Sequence, residues 1–136
     1  MGSSKIVNDV LASATWMSQA LASSGYRADF SLASLSEIDR FFDEQAPNGN
    51  PKAGGILSEN LGSIVFGLGS YVGEALRKNL GGEWIGDDND PQAEINVSLK
   101  LGDGSIVWPI QRVMKRLRNG REDGIAAYGA ALNSRR

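Results

Sequence analysis

The stretch Gly62-Ser63-Ile64-Val65-Phe66-Gly67-Leu68-Gly69-Ser70-Tyr71-Val72-Gly73-Glu74-Ala75-Leu76-Arg77-Lys78-Asn79-Leu80-Gly81-Gly82-Glu83-Trp84 decides the fold. It runs apolar at helical spacing to Leu80, stops at a glycine pair, and resumes as the strand-like Glu83-Trp84. A helix is expected roughly over Ser58 to Leu80, with Ser58 as its cap and Arg77 and Lys78 favouring the negative end of its dipole. Gly62, Gly69 and Gly73 are seven and four residues apart and therefore share one face. Each glycine inside a helix costs roughly 0.5–1 kcal/mol relative to alanine. Three on one face imply close approach of another backbone or a ring. Glu74 is the one carboxylate inside the apolar run. Its i+4 spacing to Lys78 predicts an exposed ion pair, the favoured reading because glutamate is rarely buried alone. The competing reading is a buried carboxylate beside the glycine face, which would be a site candidate.

Downstream, Glu83 to Gly86 reads as a strand, and Asp87-Asp88-Asn89-Asp90-Pro91 as a turn. Ala93 to Leu101 alternates Ile95, Val97, Leu99 and Leu101 against polar residues, the pattern of a half-buried strand. Leu101-Gly102-Asp103-Gly104-Ser105 turns into Ile106-Val107-Trp108, giving a three-stranded antiparallel meander. Pro109 fits the first turn of a helix to Leu117 or Arg118, and a last helix spans Glu122 to Leu132. Upstream, Ile6, Val10, Ala14 (or Leu11), Met17 and Leu21 form the stripe of a helix over Lys5 to Ser23, ended by Gly25. Tyr26 to Phe30 alternates as a short strand or extended segment. Ser31 or Ser34 can start a helix through Gln45, with Ser34 and Glu37 at capping-box spacing. Ala46 to Gly55, rich in Pro, Asn and Gly, is a loop. The expected fold is α+β: about five helices with a three-stranded meander in one folded unit. Residues 1–30 form its N-terminal helix and linker and 31–136 its core; residues 1–4 carry no weight.

At 136 residues the chain can bury a core unaided. It has no cysteine and no histidine, which excludes disulfides, thiolate catalysis and Ser-His-Asp chemistry within the chain. No signal peptide is evident, and the longest apolar run is well short of the roughly 20 residues that cross a bilayer, so a cytoplasmic location without membrane contact is expected. The net charge of −2 is unevenly spread: residues 1–110 carry 7 Lys/Arg against 14 Asp/Glu, and residues 111–136 carry 7 against 2.

The motifs that could carry chemistry are few. Glu74 and Glu83, with Tyr71, Trp84 and Trp108 nearby in the fold, could form a carboxylate-based pocket, yet no base, nucleophile or oxyanion donor accompanies them. Counting an EF-hand from Asp88 places Gln92 and Ala93 at the fifth and sixth positions and Leu99 at the twelfth, so the calcium pattern fails. Gly67-Leu68-Gly69 is followed by Gly73 one residue too late for a dinucleotide fingerprint, and no strand precedes it. No catalytic residue, metal site or cofactor is therefore assigned. Arg112, Lys115, Arg116, Arg118 and Arg121 form a basic cluster. Without interleaved aromatic residues, and in a chain of pI about 5.1, it points to a solvated face or an acidic protein partner over nucleic acid.

Leu68-Gly69-Ser70-Tyr71-Val72-Gly73-Glu74, Gly81-Gly82-Glu83-Trp84 and Val107-Trp108-Pro109, followed by Val113, Lys115 and Arg116, resemble a family of small uncharacterised bacterial domains. That family shares a Leu-Gly-x-Tyr-x-Gly-Glu helix and a Gly-Gly-x-Trp strand opening, and the resemblance spans roughly residues 31–132. It implies a fold and a bacterial origin, not a reaction. Some domains of this kind serve as immunity partners of secreted toxins. The expected function is a non-catalytic, cytoplasmic protein-binding domain of the immunity or regulatory-partner kind. The alternatives are a hydrolase or small-ligand-binding protein centred on Glu74 and Glu83, and a nucleic-acid-associated adaptor.

Overall fold

The computed structural model describes residues 4–135, apart from the side chain of Asn48. Helix α1 (Lys5–Ser23), α2 (Leu35–Gln45) and α3 (Leu61–Leu80) precede β1 (Gly82–Ile85). A single-turn helix α4 (Ala93–Asn96), β2 (Ser98–Leu101), β3 (Ile106–Val107), α5 (Pro109–Asn119) and α6 (Ile125–Ser134) follow. The result is an α+β domain with a three-stranded antiparallel sheet in the order β1-β2-β3. Trp84 faces Leu99, and Leu99 faces Val107, across the two ladders.

α3 is the central element. From Leu68 to Leu76 every residue is buried, as expected of a helix enclosed on all sides. α1 covers one flank through Val10 and Met17, with the Met17 methyl occupying the space a side chain at Gly67 would need. α5 covers another: a Cβ at Gly69 would lie 2.6 Å from Ile110 Cα, so only glycine allows that approach. Each fully buried Leu or Val of this core contributes about 1.5–3 kcal/mol by leaving water.

Two helix N-termini are satisfied by aspartates from distant segments. Asp88 accepts hydrogen bonds from the Lys5 and Ile6 amides, both at 2.8 Å, and from Ser4 Oγ at 3.0 Å. Asp39 of α2 accepts from the Ile125 and Ala126 amides of α6, both at 2.9 Å. Free amides and dipole favour a carboxylate there, so each aspartate closes a helix end and ties two segments together. Backbone amides of Ile6 and Lys5 accordingly hold the Asp88 carboxyl below the usual aspartate range.

Several expectations are corrected. Tyr26 to Phe30 forms no strand; Phe30 adopts φ +62°, held by Tyr71 Oη on its amide (3.0 Å) and Asn79 Nδ2 on its carbonyl (2.8 Å). Ser34 and Glu37 make no capping box: Ser34 Oγ meets Ser31 O and Tyr71 Oη, both at 2.6 Å, while Glu37 accepts from the Arg27 amide and pairs with Arg40. Ser58 lies in a short 3-10 turn, so α3 starts three residues later without a side-chain cap. Ala93 to Asn96 is helical, not strand: Asp90 accepts from the Gln92 amide and Asn96 Nδ2, both at 2.8 Å, which closes a turn against the apolar alternation. The last helix starts at Ile125, with Glu122 in a preceding 3-10 turn.

Candidate functional site

Glu74 is buried, with 5% of its surface exposed. Its partner is Arg77, not Lys78: Arg77 Nε lies 2.6 Å from Oε2 and Nη2 3.0 Å from Oε1, while Lys78 stands over the Phe30 ring. Trp84 Nε1 donates a further bond to Oε2 at 2.8 Å. The indole reaches it by lying directly over Gly73, where any Cβ would collide with the ring. Burial pushes the Glu74 carboxyl up, but the Arg77 guanidinium, the Trp84 N–H and the charges of Arg77 and Lys78 outweigh it. The group stays below the ordinary glutamate value of 4.5. It is thus a saturated, ionised carboxylate that cross-links α3 to β1.

The remaining pocket candidates do not join it. Tyr71 is engaged elsewhere, stacked on Phe30 at 4.7 Å with its hydroxyl on Ser34. Glu83 is exposed and alternates to the sheet face away from Trp84. Trp108 is 45% exposed at the start of α5. The structure therefore unites Glu74 with Trp84 and separates both from Tyr71, Glu83 and Trp108.

The basic cluster is also divided. Arg116, 2% exposed, bonds to Asp39 Oδ1 at 2.8 Å and Asp43 Oδ1 at 3.0 Å. Arg121 shares Asp43 at 3.1 Å from an exposed position. Arg112 pairs with Asp123 at 3.4 Å and lies over the Tyr128 ring at 4.5 Å. Much of the positive excess of residues 111–136 is consequently spent on the chain's own aspartates, and Lys115 and Arg118 are left exposed and unengaged among the described residues.

An open groove of about 430 Å³ lies between the first half of α3 and α5. Leu61, Val65 and Phe66 form one wall, and Ile110, Met114 and Leu117 the other. α4 closes one end, bringing Ile95 and Glu94; Arg118 stands at the other. Gly49 packs against the last turn of α5, where its Cβ would be 2.8 Å from the Arg118 carbonyl, and so fixes the backbone there. α4 is held by Gln111 Nε2, which donates to Ile95 O at 3.2 Å and Asn96 Oδ1 at 3.3 Å. Among the described residues no hydrogen bond or ion pair engages the Glu94 or Arg118 side chain. A second groove of about 380 Å³ adjoins the first, sharing Phe66 and Glu94 and extending to Trp16, which is 58% exposed.

Gly62 lies in the wall of this groove with nothing within 4 Å of a Cβ placed on it. The glycine face therefore packs closely at Gly69 and Gly73 only, against the expectation for all three. Of the groove residues, the sequence points to Arg118 as a partner-binding candidate and to Gly62 as part of the glycine face. The alternation at Ile95 reads as a strand's buried face, and the breadth of the α5 stripe, with Met114 and Leu117 beyond Ile110 and Val113, is the signal the sequence offers. No helix of the described residues is long and apolar enough to cross a membrane. Comparison with protein-family models, curated proteins and solved structures finds no match to this chain.

Proposed function

We propose that this chain is a non-catalytic protein-binding domain whose docking face is the groove between α3 and α5. The observation that carries the reading is an open, apolar-walled groove whose two rim charges have no partner within the described residues. A contiguous apolar surface of this kind, continued to the exposed Trp16, marks interaction sites on soluble proteins. The hydrolase alternative loses its base: both Glu74 oxygens are taken up by Arg77 and Trp84, and Glu83 faces elsewhere. The nucleic-acid alternative loses Arg116 and Arg112 to internal pairing. An immunity role toward a secreted toxin, in the cytoplasm of a bacterium, is the specific form of the proposal; its support is the resemblance described above.

Affinity capture of a specific partner from the native host, repeated with Met114→Glu and Leu117→Glu, tests the reading. Circular dichroism confirms that each variant is folded. Loss of the partner with both variants and retention with Lys115→Glu is the expected result. Retention with both groove variants, or loss with Lys115→Glu alone, would move the interface to the basic surface and overturn it.

A further inference from the structure

We propose that the groove accepts an amphipathic helix of the partner, carrying an apolar stripe with a basic residue at one end and an acidic residue about two turns away. The inference rests on the protein-binding reading above and names the partner's chemistry.

The walls select a helix. α3 and α5 run antiparallel: Gly69 meets Ile110, and the groove beyond is lined by lower-numbered residues of α3 and higher-numbered residues of α5. They touch at Gly69 and leave open space at Gly62, so the channel widens toward the start of α3. Two helix flanks with ridges every three or four residues (Ile110, Met114 and Leu117 on one side) receive side chains of the same spacing. An added β-strand would need free backbone donors and acceptors along a wall, and helices use theirs internally. A small molecule favours an enclosed cavity with convergent polar groups, whereas this groove is open and its polar groups stand at opposite ends.

The charges give the occupant its pattern. α4 docks on α5 at Gln111, which places Glu94 near that level, and Arg118 follows seven residues later, about 10 Å along the axis at about 1.5 Å per residue. A lysine or arginine on the occupant then meets Glu94 while a carboxylate about two turns away meets Arg118, with apolar anchors between. Gly62, which a side chain would otherwise cover, lets the occupant's backbone approach α3 closely. A second copy of the chain fits this less well: Leu61 and Ile95 already line the groove itself, and the exposed apolar residues of α1, Leu11 and Trp16, are five positions apart and do not share a stripe.

The test uses three fluorescein-labelled helical peptides with the same leucine stripe, flanked by Lys and Glu, by two Lys, or by two Glu. Their affinities are measured by anisotropy at low salt. The mixed peptide should bind about three- to tenfold more tightly than either like-charged one, since exposed pairs contribute up to roughly 1 kcal/mol each and about 1.4 kcal/mol is tenfold. Glu94→Lys should shift preference to the two-Glu peptide and Arg118→Glu to the two-Lys peptide. Equal binding of all three, abolished by Met114→Glu, would overturn the charge-ordered helix and leave the groove a docking site. If no peptide binds and the wild-type protein is a monomer in light scattering, both proposals fail. A wild-type dimer converted to monomer by Met114→Glu would make a second copy the occupant and overturn the inference.

Discussion

From Gly69 onward α3 is closed by its own chain. Gly69 receives Ile110, Gly73 receives the Trp84 ring and Pro109, and Glu74 is locked between Arg77 and the indole. At its N-terminal half the same helix presents Gly62, Val65 and Phe66 to an open groove, with Glu94 and Arg118 unengaged at its ends. One glycine-bearing face thus does two things. Where the chain supplies the close-packed group, the face is architectural; where it supplies none, the face is left for a partner.

That contrast can be broken by substitution, and the largest effect is expected at the closed end. Gly73→Leu should expel the Trp84 indole and break its bond to Glu74, costing about 3 kcal/mol or more in urea unfolding, because overpacking and a lost buried bond combine. Arg116→Ala should cost about 2–3 kcal/mol: a buried cation leaves and Asp39 loses its counter-ion, softened by the partial exposure of both carboxylates and by Arg121, which stays on Asp43. A loss below about 0.5 kcal/mol would show that this ion pair is not structural.

Glu74 gives a pH signature. Its folded pKa lies below the ordinary 4.5, so its contribution is fully present above about 4.5 and is lost as pH falls through the depressed folded value. Glu74→Gln should lower stability at pH 7 by about 1–2 kcal/mol and flatten the stability profile below pH 4.5. An unchanged acid limb would remove the carboxylate from the account. The smallest effect is local: Asp88→Ala should speed hydrogen exchange at the Lys5 and Ile6 amides while leaving the amides of α3 protected.

The elements with long, clean periodicity were legible in the sequence: α1, α3, α5 and the meander follow from apolar spacing and glycine or proline punctuation. α4 was not, because Ile95, Val97, Leu99 and Leu101 keep strand alternation through a segment where Asp90 side-chain bonds close a helical turn. The Asp90-Pro91 pair reads as part of the preceding turn, and nothing local says that the turn continues into a helix. Glu74 has both Arg77 and Lys78 within pairing distance along the helix, and neither the Trp84 bond to Glu74 nor the seat of Lys78 over Phe30 is visible in that spacing. The Arg116–Asp39 pair spans 77 positions, and the groove is assembled from α3, α4 and α5. Such long-range juxtapositions leave no trace in local spacing, which is why the basic cluster looked like one surface although Arg116 is buried and Arg112 and Arg121 pair with the chain's own aspartates.

The measurement that tests the contrast most directly is Gly62→Leu, examined for both stability and binding of the Lys/Glu-flanked peptide. A side chain there enters open groove, so urea unfolding should stay within about 0.5 kcal/mol of the wild type while peptide affinity falls at least about tenfold. A stability loss comparable to that of Gly73→Leu, or peptide binding left unchanged, would contradict the division of α3 into a closed end and a docking end.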